Sequence, residues 1–109
     1  MTRVSDNPGL GKAVVTYLKE PRERNWGILL SLDSSGAWIR GIEVDAFEDW
    51  ARAIAAGRND VAGESTFFIP HLRIQKIVID EDYPAIPSLS SRLKEITGKS
   101  AENLLLESE

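Results

Sequence analysis

The stretch Phe67-Phe68-Ile69-Pro70-His71-Leu72-Arg73-Ile74-Gln75-Lys76-Ile77 divides at its proline. Two phenylalanines and an isoleucine stand before Pro70, and Leu72, Ile74 and Ile77 recur among polar residues after it, so both halves favour extended backbone. Proline has no N–H to give to a sheet ladder. Pro70 therefore marks a corner between two short strands, over residues 66–69 and 72–80, and such a corner predicts the closing bend of a small β-barrel. The second strand ends in Ile77-Val78-Ile79, a β-branched run suited to packing on both faces.

Upstream, residues 26–33 alternate, with Trp26, Ile28, Leu30 and Leu32 on one side and Gly27, Leu29, Ser31 and Asp33 on the other. Ser34-Ser35-Gly36 supplies a tight turn, and residues 37–44 return as the antiparallel partner. Gly41 in that return marks a bulge or a close backbone approach. Residues 12–19 make the first strand, with Ala13, Val15 and Tyr17 on one face and Val14, Thr16 and Leu18 on the other. The charged loop around Pro21 ends it.

Asp45 and Glu48 have capping-box spacing, and Phe47, Trp50, Ala51 and Ile54 follow the i, i+3, i+4, i+7 pattern. They predict an inserted helix over residues 46–56 that plugs one end of the barrel. Leu89, Leu93 and Ile96, followed by Gly98, predict a carboxyl-terminal helix over residues 89–97. Pro8, Gly9 and Gly11 leave residues 1–11 as a flexible amino-terminal segment, residues 12–98 form a single small-barrel domain, and residues 99–109 read as a carboxyl-terminal tail. The expected fold class is mainly β: a small five-stranded barrel with one inserted and one terminal helix.

A chain of 109 residues supports one modest core. It has no cysteine, which removes disulfides, thiolate catalysis and cysteine-ligated zinc, and its single histidine, His71, removes a histidine metal cluster. With 17 acidic and 13 basic residues the formal charge is −4, against the clustered cations that displace counterions from phosphates. No DNA partner is expected. No apolar run of about 18 residues and no signal-like start are present, so a cytoplasmic protein without a membrane partner is expected. Glu48-Asp49 and Asp80-Glu81-Asp82 lack a neighbouring histidine or third ligand and read as surface charge. Gly9-Leu10-Gly11-Lys12 lacks the spacing of a phosphate loop. No catalytic residue, metal or cofactor is expected.

The order strand, charged loop, long hairpin, insertion, strand, proline corner, strand resembles that of the Sm-like family, the Hfq type among them, and more broadly of SH3-type barrels. Trp26-Gly27-Ile28-Leu29-Leu30-Ser31-Leu32-Asp33 resembles the G-x-L-x-x-x-D portion of the family's first motif, and Phe68-Ile69-Pro70-His71-Leu72-Arg73-Ile74 resembles its second. The similarity covers residues 12–80. It implies an SH3/Sm-like barrel and a ring-forming subunit that pairs edge strands with its neighbours. It also implies binding of single-stranded RNA by stacking and hydrogen bonding around a pore, with His71 and Arg73 at the nearest matching positions. Arg22, Arg24 and Asp33-Ser34-Ser35-Gly36 miss the spacing of the PilZ cyclic-dinucleotide signature, in which Gly stands where this chain has Trp38.

Core filling is the ordinary role of tryptophan, but Trp38 beside Arg40 on a hairpin strand is where an interface hot spot is expected. The favoured function is a non-catalytic binding or assembly module, a homo-oligomer joined through strand edges and Trp or Phe side chains. Its candidate binding or interface residues are Trp38, Arg40, His71 and Arg73. An RNA-binding Sm-like ring subunit is the alternative, and a small enzyme without a recognisable motif comes third.

Overall fold

The computed structural model describes residues 7–61 and 63–107. Along the chain come β1 (Ala13–Leu18), β2 (Glu23–Asp33), β3 (Gly36–Glu43), α1 (Val44–Ala55), β4 (Ser65–Pro70), a 3-10 turn (His71–Arg73), β5 (Ile74–Ile79), α2 (Leu89–Thr97) and α3 (Ala101–Leu106). All five strands form one antiparallel sheet in the order β4-β3-β2-β1-β5. The two strands flanking Pro70 are thus consecutive in the chain and lie at opposite edges. They do not pair, and the sheet is open.

Main-chain bonds anchor both ends of the corner after Pro70. His71 N donates to Ser35 O in the β2–β3 turn at 2.9 Å, and Lys19 N, in the β1–β2 loop, donates to Arg73 O at 2.9 Å. Leu72 belongs to this turn and is 83% exposed, so the last strand begins at Ile74 and not at residue 72.

Each face of the sheet carries its own apolar cluster. On one face Ala13, Trp26, Ile28 and Ile42 meet Phe47, Trp50 and Ala51 of α1, Leu93 of α2, and Ala101 and Leu105 of α3. The Trp26 ring meets Phe47 edge-on at 5.1 Å between centroids, a preferred aromatic geometry. On the other, inner face, Val14, Leu18, Leu29, Ala37, Ile39 and Ile69 gather with Phe67, Ile74, Ile77 and Ile79. Side chains from both edge strands enter this one cluster, so the sheet curls around it. Burial on both sides explains why β1 is apolar at successive positions.

The curl needs two backbones to touch. Gly27 and Gly41 are direct partners in the β2–β3 ladder, and a Cβ at Gly41 would overlap the Trp26 carbonyl, as one at Gly27 would overlap that of Arg40. Gly41 thus marks a close approach, while the bulge lies between Leu29 and Ser31. Beyond it the side-chain alternation reverses. Leu30 and Leu32, which the unbroken pattern assigns to the side of Trp26, are 42% and 41% exposed.

Three further boundaries differ from the sequence reading. β2 starts at Glu23 because Glu23, Arg24 and Asn25 pair with Leu18, Tyr17 and Thr16, a ladder that outweighs the charged composition. α1 starts at Val44, leaving Glu43 at the cap position with no side-chain cap bond. Asp45 is therefore a first-turn residue and not the cap, and Glu48 faces Arg52 and Arg92 instead. Residues 101–106 of the expected tail form α3, where Ser100 Oγ accepts from Asn103 N at 3.0 Å and Leu105 is buried.

At the amino end, residues 1–6 of the expected flexible segment lie outside the described residues. Leu10 bridges Leu29, and Gly11 N donates to Leu29 O at 2.9 Å, so residues 9–11 run along β2. Among the described residues no helix is long and apolar enough to cross a membrane.

Candidate functional site

β3 carries Trp38 and Arg40 on the face shared with the helices, but past the area they cover. Trp38 pairs across the ladder with Phe68 of β4, and their rings lie 5.3 Å apart at 51°. Trp38 is 46% and Phe68 39% exposed. Two large aromatic side chains packed at a tilt on the last strand pair of an open sheet form an apolar platform, and β4 leaves a row of main-chain groups unpaired beside it.

Arg40 stands between this platform and α3. Its Nε donates to Leu105 O at 3.0 Å, its Nη1 to Thr66 Oγ1 at 3.5 Å, and its Nη2 lies 3.7 Å from Glu64 Oε2. The guanidinium thereby satisfies a carbonyl at the end of α3, where cations are favoured. Glu64 also accepts from Trp50 Nε1 at 2.9 Å, so Arg40 belongs to a network that joins sheet, α1 and α3.

His71 and Arg73 belong to the 3-10 turn. His71 is exposed. Arg73 donates from Nε to Lys19 O at 3.0 Å and from Nη2 to Pro21 O at 2.7 Å, with Glu23 Oε1 at 3.4 Å. Its guanidinium is spent on holding the β1–β2 loop. The four sequence candidates therefore divide: Trp38 and Arg40 are neighbours on one strand, Arg73 is a loop clamp, and His71 sits at the opposite end of its turn.

The acidic run is structural in a way its composition does not announce. Asp80 Oδ1 accepts from Leu89 N at 3.0 Å, and its Oδ2 accepts from Ser90 N and Ser90 Oγ at 2.8 Å and from Trp26 Nε1 at 3.0 Å. Asp82 accepts from Ser88 N at 2.8 Å and Ser91 Oγ at 3.1 Å. The Ser88 N–H, and then the Ser91 hydroxyl, hold the Asp82 carboxyl below the usual aspartate range. Both carboxylates thus serve orphan donors at the start of α2. The signal was available in the serines at 88, 90 and 91, read as a capping sequence together with the preceding acids.

Glu48 Oε2 is shared by Arg92 Nη2 at 2.6 Å and Arg52 Nη2 at 2.7 Å. Hydrogen bonding to Arg92 first, and to Arg52 after it, lowers the Glu48 pKa. The pair ties α1 to α2. Among the described residues no three His, Asp or Glu side chains gather in a way that would hold a metal. No protein-family model, curated protein or solved structure matches the chain.

Proposed function

We propose that the protein is a non-catalytic binding and assembly module that self-associates through the Trp38–Phe68 platform and the free edges of β4 and β5. The observation that carries this reading is the exposed aromatic pair on the edge of an open sheet. Exposed strand edges invite pairing with another chain, and tryptophan is enriched among residues that dominate interfaces. The element order, the curled sheet and the 3-10 corner support kinship with SH3/Sm-like small barrels.

Within that kinship, the charge arrangement favours assembly over RNA. Arg40 and Arg73, the cations nearest the expected contact positions, are bonded to main-chain carbonyls, which leaves the platform apolar and without a committed phosphate partner. Sedimentation equilibrium of the wild type and of Trp38→Ser tests the reading. A wild-type oligomer that dissociates in Trp38→Ser but persists in Trp38→Phe is the expected result. A monomeric wild type at all concentrations, or oligo-U binding that weakens steeply with salt and disappears in Arg73→Ala, would overturn it.

A further inference from the structure

The inner face opens at one end of the sheet into a cavity of about 480 Å³, within the size range of ligand pockets. It is lined by residues that the ladders set side by side. Leu18 pairs with Glu23, Asn25 with Glu43, and Gly41 with Ser65. Phe67 and Ile69 of β4 complete the apolar wall.

Asn25 singles this cavity out. The residue is only 7% exposed, yet its carboxamide makes no hydrogen bond with any described residue, although no described side-chain N or O atom is both fully buried and unpartnered. Its amide therefore meets solvent only through the mouth. A polar group so enclosed normally has a partner, and here solvent or a ligand in the cavity supplies it. Its ladder neighbour Glu43 is exposed and forms no ion pair with any described residue, while Glu23 is paired at 3.4 Å with Arg73, which also donates to Lys19 O and Pro21 O.

We propose that this mouth binds an arginine or lysine side chain carried by an extended segment of a partner polypeptide. The Glu43 carboxylate and the Asn25 Oδ1 give acceptors for a guanidinium or ammonium on the cavity wall, and Glu23, which Arg73 of the same wall approaches to 3.4 Å, adds a partly neutralised third. Leu18, Phe67 and Ile69 receive the aliphatic stem. The occupant is a polypeptide because β4 borders the cavity along residues 65–70 and its outer edge is unpaired, so an extended chain can add main-chain bonds there while one side chain turns inward. Phe68 of the platform also lines this cavity, and the peptide would use the β4 edge that self-association uses, so the titration is made on Trp38→Ser as well as on the wild type: peptide binding that persists in Trp38→Ser separates the two readings.

The test is a titration of the full chain with the blocked peptide Val-Thr-Arg-Thr-Val, and with versions carrying norleucine or glutamate in place of arginine. It is followed by calorimetry and by the NMR signals of the Asn25 side-chain amide. The arginine peptide should move the Asn25 amide and bind about tenfold or more tightly than the norleucine peptide, and Glu43→Gln should weaken it to a similar degree. Glu81→Gln, outside the cavity, should leave binding unchanged. Asn25→Ala should weaken binding while circular dichroism shows the fold retained, because its amide makes no hydrogen bond with any described residue. Equal binding of the norleucine or glutamate peptide overturns the proposal. So does saturation without movement of the Asn25 amide, or acetyl-arginine amide binding as tightly as the peptide, or no binding of the arginine peptide.

Discussion

Asp80 Oδ2 lies 3.0 Å from Trp26 Nε1, joining the residue after the last strand to the largest fully buried side chain. The same carboxylate caps α2 through Leu89 N and Ser90 N, so one side chain fixes where that helix docks on the sheet. Its position just after Ile79 follows from the β1–β5 ladder, whose last bond runs from Asp80 N to Ala13 O at 2.9 Å.

Removing that carboxylate should unsettle helix and core together. Asp80→Ala strands the buried indole N–H and two main-chain donors, and is expected to cost about 2–4 kcal/mol. Asp80→Asn, which keeps an acceptor, should lose clearly less. Denaturant unfolding measures both, and equal losses would show that the hydrogen bonds are not what Asp80 contributes.

Gly41→Ala is expected to destabilise the fold by about 2–4 kcal/mol or prevent folding, because its Cβ meets backbone and not a movable side chain. Gly63 has nothing within 4 Å of the same added atom. Gly63→Ala should therefore stay within about 0.5 kcal/mol of wild type. Similar melting temperatures for the two variants would refute the close approach of β2 and β3.

Leu105 of α3 is 3% exposed in the helix-side core. Leu105→Ala should cost about 2–4 kcal/mol, the range for a buried leucine, whereas Leu106→Ala, at a position 46% exposed, should cost little. Hydrogen exchange of the Trp26 indole should quicken in the first variant only. If neither variant changes stability, α3 contributes nothing to the core.

Acid should weaken the protein through carboxyls whose folded-state pKa is depressed. Asp82 is lowered by Ser88 and Ser91, Glu48 by Arg92 and Arg52, and Asp33 by the Ser35 hydroxyl and N–H. Such groups bind protons more readily in the unfolded chain, so their contribution is fully present above the unfolded range of about pH 4–4.5 and is lost as pH falls through the lower folded values. Melting temperatures measured from neutral pH downward should hold steady and then drop in that window. Asp82→Asn should flatten the drop, and an unchanged slope would count against its role as a cap of α2.

Much of the strand plan was legible because it rests on local chemistry. The hairpin around Ser34-Ser35-Gly36 is set by its turn residues, with Asp33 Oδ1 accepting from Ser35 N at 2.8 Å, and α2 ends at Gly98 in the left-handed region with φ 78°. The bulge after Leu29 was hidden because one extra residue in a ladder depends on what the partner strand does. Arg40 and Arg73 looked like ligand contacts because a sequence shows a cation without showing the carbonyls that surround it.

The amino-acid sequence by itself determined the five extended segments, the two principal amphipathic helices and the absence of cysteine chemistry, since each depends on residue type and spacing within a short window. Tertiary structure alone decided that the strands beside Pro70 occupy opposite edges, that residues 101–106 pack as a helix, and that Asn25 lines an open mouth with no hydrogen-bond partner among the described residues. Those outcomes depend on contacts between residues distant along the chain, whose free energies are set by which surfaces meet and how well they exclude water.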